Sequence, residues 1–389
     1  MIRRNHLEKG SFLVNQYVML VKSMRLIFIF TILYCFSLLG FAASQYQYVD
    51  RYLFQSRTER ALSNQEHWLI KFGLSPNNKE IYAIDSIKKL LTIVDVTTGT
   101  TLKKIPLPTT KEYDTAFGVV FSHDGKKAYF STMLKNVYII DTVKQEIIGK
   151  VANKPETNWV YTSTGLCMTP DGRRLYAIDS IGEKKSTDNL PRIHVIDTQT
   201  DSVIDTIKKQ HVNDDLFGWF DSALAFSKDT NLLYFTDMFS GSVSILNIRD
   251  NTLEDEAIKY DSNDILGIAI DEKNNKLYVL SGSGTIIISN LVTRQKIDEI
   301  SIGTDTLDFA LVENGKKLYV TDRATDSVSV LDVTQKIKLI KKISVGKKPQ
   351  TLRVSSDDSK LYVGNAGSND ISVIDIVTDN VVRIITVNN

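Results

Sequence analysis

Seven times along the chain an apolar or small residue precedes a tyrosine that opens a β-rich run. The run reads IYAID at Tyr82, AYFST at Tyr129, LYAID at Tyr176, LYFTD at Tyr234, LYVLS at Tyr278, LYVTD at Tyr319 and LYVGN at Tyr362. The intervals are 47, 47, 58, 44, 41 and 43 residues. Each anchor is followed by a second apolar run ending in Asp or Asn, such as LTIVD, VYIID or ISVID, and then by a third, such as TLKKIPL or NVVRIITV. A fourth run precedes the anchor, as in FGVVFSHDGKK and TLRVSSDDSK. Short runs of this kind, separated by NGKK, DGKK and DGRR turns, predict strands joined by tight hairpins.

The run ahead of each anchor alternates in size. Ten residues before the tyrosines stand Phe72, Val119, Leu166, Leu224, Ile268, Phe309 and Leu352, and eight before stand Leu74, Phe121, Met168, Phe226, Ile270, Leu311 and Val354. Between them lie Gly73, Val120, Cys167, Ala225, Ala269, Ala310 and Arg353. Bulky residues on one face and mostly small ones on the other are the period-two pattern of a strand. They also suit stacked sheets, in which the bulky face of one enters the shallow face of the next. Four strands per unit, repeated seven times, predict an all-β, seven-bladed β-propeller of four-stranded antiparallel blades over residues 66–389. The blades are expected at about 66–106, 116–151, 162–208, 220–260, 264–302, 306–345 and 349–387. In this frame Asp95, Asp141, Asp197, Asp332 and Asp375 precede tight turns, where a short carboxylate accepts a bond from the backbone two residues on. Their reading is structural, as is that of Cys167 in the small column.

The stretches LYVTDRATDSVSVLDV (Leu318–Val333) and LYVGNAGSNDISVIDIVTDNVV (Leu361–Val382) resemble the YVTN-repeat β-propeller family of exported and surface proteins. The resemblance runs over about residues 66–387. It implies the fold strongly and the function weakly, because propellers carry many unrelated activities. TSTGLCMTPDGRRLYAIDSIGEKKSTDNLPRIHVIDTQT is similar to the third-blade region of the quinohemoprotein amine dehydrogenase β-subunit, whose architecture the amine dehydrogenase heavy chains share. That resemblance implies a docking subunit whose quinone and heme sit in partner subunits.

The N-terminal residues break the pattern. Leu26–Phe41 is a 16-residue uncharged run, preceded by Lys22 and Arg25 and followed by Ala42, Ala43 and Ser44. A basic n-region, an apolar core and small residues describe a signal peptide over residues 1–44, with Met24 a natural start and residues 1–23 an over-called one. The alternative is an uncleaved signal anchor, since about 17 apolar residues span a bilayer. Either way the chain is expected to be exported, to the periplasm or the cell surface. Cleavage removes Cys35 and leaves Cys167 alone, so no intramolecular disulfide forms. Residues 45–65 form a strand or linker, and 45–56 alternate as a strand that is expected to cover the outer edge of a terminal blade.

Composition narrows the chemistry. With 47 basic and 46 acidic residues the net charge is +1, which gives no electrostatic case for nucleic acid. No CxxCH, CxxC, HExxH, GxSxG or Walker loop is present, and the five histidines (His6, His67, His123, His194, His211) are scattered. A column eleven residues before each anchor, Lys71, Gly118, Gly165, Ala223, Gly267, Asp308 and Thr351, is expected to line the channel. It is too poor in ligands for a lactonase-type metal cluster. No metal and no cofactor of the chain's own is expected. The asymmetry lies in the loops, long after blades 1, 2 and 3 and in the blade 3 insertion SIGEKKSTDNLPR, and short elsewhere, as in GTDT and GKKPQ. The long loops carry Tyr113, Asp114, Trp159, Tyr161, His211, Asp214, Asp215, Phe217, Trp219 and Asp221. Aromatics beside acids at a concave mouth make a recognition site for a protein, glycan or small ligand of polar or cationic character, or a plug over the channel. The functional expectation is an exported binding scaffold without catalysis of its own, with the amine-dehydrogenase-like subunit as the alternative.

Overall fold

The computed structural model describes residues 69–387 apart from short stretches at 86–87, 109–115, 133–135, 153–161, 180–181, 184–191, 209–215, 218–222, 228–230, 238–239, 263–264, 304 and 313–314. Blade 1 comprises β1 (Leu69–Leu74), β2 (Glu80–Asp85), β3 (Leu90–Asp95) and β4 (Thr101–Pro106), and blade 2 comprises β5 (Ala116–Phe121), β6 (Lys127–Thr132), β7 (Asn136–Asp141) and β8 (Glu146–Lys150). Blade 3 holds β9 (Thr162–Met168), β10 (Arg174–Asp179), β12 (Arg192–Asp197) and β13 (Ser202–Lys208), with the extra strand β11 (Gly182–Glu183) in its insertion. After β14 (Leu216–Phe217), blade 4 runs through β15 (Leu224–Ser227), β16 (Leu232–Asp237), β17 (Ser242–Asn247) and β18 (Thr252–Lys259). Blade 5 is β19 (Ile265–Asp271), β20 (Lys276–Ser281), β21 (Thr285–Asn290) and β22 (Lys296–Ser301). Blade 6 is β23 (Phe309–Leu311), β24 (Lys317–Asp322), β25 (Ser327–Asp332) and β26 (Lys338–Ser344), and blade 7 is β27 (Pro349–Val354), β28 (Lys360–Asn365), β29 (Asp370–Asp375) and β30 (Asn380–Thr386). Every blade is an antiparallel meander in chain order, so the protein is an all-β, seven-bladed propeller. The expected blade limits fall within a few residues of these strands.

Size alternation on the inner strand explains the stacking. Seven apolar clusters mark the seven joints, and the bulky inner-strand residues of each blade pack against the preceding blade. Val119 and Phe121 join blade 1 residues Tyr82 and Ile93, and Phe309 joins blade 5 residues Tyr278 and Ile288. The small column receives them. A Cβ on Gly73 would stand 2.7 Å from Val119 O and 2.9 Å from Val119 Cβ. Each anchor tyrosine faces the following blade, from Tyr82 at the blade 1–2 joint to Tyr362 at the blade 7–1 joint.

Polar clamps cross the same joints. Lys127 Nζ donates to Thr198 O at 3.0 Å and Asp201 Oδ2 at 2.7 Å, while the Tyr129 hydroxyl donates to Asp201 Oδ1 at 2.8 Å. The blade 6–7 joint repeats this with Lys317 on Ile376 O (3.0 Å) and Asp379 Oδ2 (2.7 Å), and Tyr319 on Asp379 Oδ1 (2.6 Å). Lys276 reaches Val333 O at 2.9 Å, and Arg174 reaches Ile248 O at 3.0 Å. In each case a cation two residues before the anchor tyrosine meets the carbonyl that follows the next blade's Asp or Asn.

The Asp row caps turns as expected. Asp141 Oδ1 accepts from Val143 N at 3.0 Å, Asp197 Oδ1 from Gln199 N at 2.9 Å, and Asp332 Oδ1 from Thr334 N at 2.9 Å. In Asp95 and Asp375 the reach is three residues, to Thr98 N (2.6 Å) and Thr378 N (2.9 Å).

Candidate functional site

Strand polarity fixes which loops share a face. In each meander the second-to-third-strand turn and the connection to the next blade emerge at one end, and the two remaining turns at the other. The structure ties two of the long loops together at the first end. β11, from the blade 3 insertion, pairs antiparallel with β14, from the connection into blade 4, through Gly182↔Phe217 and Glu183↔Leu216. Of the residues singled out from the sequence, Phe217 is therefore placed in this extra ribbon. Tyr113, Asp114, Trp159, Tyr161, His211, Asp214, Asp215, Trp219 and Asp221 lie outside the described residues.

Towards the same end, the inner strands of blades 6 and 7 carry an ionic cluster. Asp308 immediately precedes β23, and its backbone is held by Thr321, whose Oγ1 accepts from Asp308 N at 3.1 Å and donates to Asp308 O at 3.1 Å. The carboxylate accepts from Phe309 N at 2.9 Å and, across the joint, from Leu352 N at 2.9 Å. Arg353 Nη1 lies 3.4 Å from Asp308 Oδ2 and donates to Leu352 O at 2.6 Å. About 28% of the Asp308 side-chain surface stays open, yet desolvation between the inner strands pushes its carboxyl above the usual range. Arg353, the Leu352 amide and Lys71 of blade 1 pull the other way. Desolvation outweighs these donors.

The sequence contained this cluster in pieces. Asp308 is the acid in the column expected to line the channel, and Arg353 the one large polar residue in the small column. The channel-lining expectation needs correction at Gly267, where a Cβ would stand 2.5 Å from Phe309 Cε1. At this position the side-chain direction points at the neighbouring blade, and the residue is small because Phe309 of blade 6 fills that space. What the pattern did not reveal is that Asp308 and Arg353, 45 residues apart, meet across one joint.

Other candidate chemistry is structural. Cys167 packs at the blade 3–4 joint, and burial pushes its thiol up to about 12. His194 is fully buried in β12, with Nδ1 at 3.2 Å from Thr206 Oγ1. Among the described residues no group of three His, Cys, Asp or Glu is placed to share a metal ion.

Comparison with known proteins agrees with the architecture. The family model "Lactonase, 7-bladed beta-propeller" matches residues 223–381. The chain is similar to that family across blades 4 to 7. Among solved structures, a chain of Kuenenia stuttgartiensis hydrazine synthase superposes with a TM-score of 0.65 at 17% identity, covering 80% of this chain and 96% of that one. U3-55K gives a TM-score of 0.62 at 14% identity, with 78% and 89% covered. A chain of the mitotic checkpoint complex gives 0.60 at 15%, with 77% and 84% covered. At such identities the likeness is one of fold. No curated protein matches the sequence significantly.

Proposed function

We propose that this propeller is an exported binding scaffold that engages a ligand or partner of basic character at the face bearing the β11–β14 ribbon, without catalysis of its own. The observation that carries the reading is the ribbon itself. It links the blade 3 insertion to the connection into blade 4 through Gly182↔Phe217 and Glu183↔Leu216, so two of the longest loops meet at this face. Loop extensions cost little closure entropy, about 0.6 kcal/mol per doubling of length, and so are available for recognition. The acids Asp214, Asp215 and Asp221 on the same connection favour a cation or a basic surface, and Trp159, Tyr161 and Trp219 supply apolar contact.

Trp159 and Trp219 are two of the three tryptophans, so the site carries its own fluorescent reporter. Titration with an oligolysine peptide, and in parallel with neutral oligosaccharides, is expected to change emission for the peptide alone. Trp159→Ala and Trp219→Ala should each lose binding while the melting temperature holds. A collapsed melting temperature with unchanged binding would make these aromatics a plug and end the proposal.

A second reading follows from the family match. Opening a lactone needs a group that moves a proton to or from water and a cation that steadies the developing oxyanion. Asp308, with its raised pKa, and Arg353 are a pair of that kind. A panel of small lactones assayed with wild type and Asp308→Asn separates the readings. Turnover abolished by the substitution establishes hydrolysis, and no turnover by wild type leaves binding.

A further inference from the structure

The turn between the second and third strands of blade 7 buries more oxygen than it satisfies. Asn365 closes β28, Asp370 opens β29, and the two are partners in the register of the sheet. The Asn365 amide nitrogen donates to Asp370 Oδ1 at 2.7 Å and to Ser372 Oγ at 2.9 Å, which fixes the other end of the amide as its oxygen. That oxygen, on a fully buried residue, has no partner. Asn369 repeats the situation at 8% exposure, with its Oδ1 also buried and unpartnered. An amide oxygen buried in this way has given up its water without replacement. Two of them in one turn call for a group that supplies what they lack.

The charge at the turn points the same way. Among the described residues no Lys or Arg pairs with the Asp370 carboxylate, and the Asn365 amide is its hydrogen-bond donor. The corresponding turns of blades 1 and 6 carry cations of their own, with Lys88 Nζ 3.9 Å from Asp85 Oδ2 and Lys342 Nζ 2.9 Å from Asp322 Oδ2. The connection from blade 6 holds the blade 7 turn in shape. Lys347 N donates to Ser368 Oγ at 2.9 Å, and Gly367 N donates to Lys347 O at 2.9 Å. Only glycine fits at 346, where a Cβ would stand 2.6 Å from both Asn365 Nδ2 and Asp370 Oδ1, and closer still to Ser368 Oγ.

We infer that this turn is a cation site of the calcium class, with Asn365 Oδ1, Asn369 Oδ1 and the Asp370 carboxylate as its protein ligands. Ca²⁺ takes amide, carboxylate and water oxygens in flexible geometry, whereas Mg²⁺ demands a near-ideal octahedron and gives up water reluctantly. One carboxylate and two amides on a single turn suit the first. A set with one charge belongs with weak sites, of dissociation constant about 10⁻⁴ to 10⁻³ M. The expectation that the chain holds no metal rested on the channel column and the scattered histidines, and amide oxygens fell outside it. The site depends on neither reading of the proposed function.

The test uses the full chain, stripped with a chelator, and the ions themselves as chlorides at constant ionic strength. Calorimetric titration is expected to show Ca²⁺ binding at least about ten-fold tighter than Mg²⁺. Saturating Ca²⁺ should raise the melting temperature by about 2–5 °C. Asp370→Asn keeps the shape of the side chain and removes its charge, and should weaken Ca²⁺ at least about ten-fold. Asn369→Gly keeps the left-handed backbone, at φ 55°, removes one ligand, and should weaken Ca²⁺ by about three-fold or more. No Ca²⁺ binding, or Mg²⁺ bound as tightly as Ca²⁺, would overturn the assignment. Affinity untouched by either substitution would place the ion elsewhere, as on the loop acids Asp214, Asp215 and Asp221, and would overturn it too. If Asp370→Asn fails to fold, Asn369→Gly and the comparison of the two ions still decide.

Discussion

At the scale of single residues, the repeat is held by short carboxylates doing structural work. The Asp332 and Asp375 carboxyls are drawn down to about 2, the first mainly by the Thr334 hydroxyl and the second mainly by Lys360. Asp357 is drawn down to about 2 by the Ser355 hydroxyl, at the first hairpin of blade 7. A carboxylate whose folded pKa lies below its unfolded value contributes stability that is complete above the unfolded value and is lost as pH falls through the folded one. The unfolded reference is 3.8, so these turns loosen between about pH 4 and pH 2. Thermal melts should be flat from neutrality to about pH 5 and fall below pH 4. A flat profile down to pH 2 would mean the caps carry no stability. Core residues give a second test. Phe309 is 7% exposed and fills the blade 5–6 joint, whereas Leu224 is only partly buried at the blade 3–4 joint. Phe309→Ala should therefore cost about 3–5 kcal/mol and Leu224→Ala about 2, read from denaturant melts. Equal costs would mean that exposure does not rank these joints.

At the scale of elements, the fourth strand of each blade shows how the ring protects its outer edge. In six blades its pairing shifts by one residue, and the bulged residue is Leu102, Ile148, Ile204, Ile297, Ile340 or Val382. All six are exposed, between 42% and 56%. Blade 4 departs, with a longer bulge in which Glu256 takes a positive φ of 51°. A bulge twists an edge strand away from pairing geometry, so an exposed apolar residue there does not template addition of another strand. The aliphatic character of these positions is therefore not a packing requirement. Ile340→Thr should leave the melting temperature within about 2 °C, while Leu331→Ala, one strand inward and fully buried, should lower it by several times as much. A large effect of Ile340→Thr would show that the bulge residue is covered in solution. The sequence made the strands legible because periodicity of two and the tyrosine spacing are local signals. The bulges were hidden because an unbroken apolar run reads the same with or without a one-residue slip. The Asp308–Arg353 contact was hidden for the opposite reason. It joins residues 45 apart in sequence, brought together only once the blades stack.

At the scale of the whole molecule, seven similar joints close one ring, but six are also bridged by the chain and one is not. Among the described residues the blade 7–1 joint rests on apolar packing and on hydrogen bonds between side chains and backbone. Phe72, Ile81 and Val94 pack against Tyr362, Ile371 and Val373. Arg383 Nη1 donates to Val96 O at 2.8 Å and also to Thr97 O, and Asn78 exchanges bonds with Ser356 (2.7 and 3.0 Å). No strand is traded across it, since blade 7 draws all four strands from residues 349–386. Opening any other joint leaves the two blades tethered, whereas opening this one lets both ends of the ring move apart. Local unfolding should therefore begin here, and weakening this joint should speed it selectively. Phe72→Ala removes a fully buried ring from the closing cluster, at a cost of about 3–5 kcal/mol. Hydrogen exchange followed by mass spectrometry should show β1, β2, β28 and β29 losing protection first and most in this variant, with β16 and β20 changed little. Uniform loss across all seven blades would mean that the ring opens as one cooperative unit and that the closing joint is no weaker than the rest.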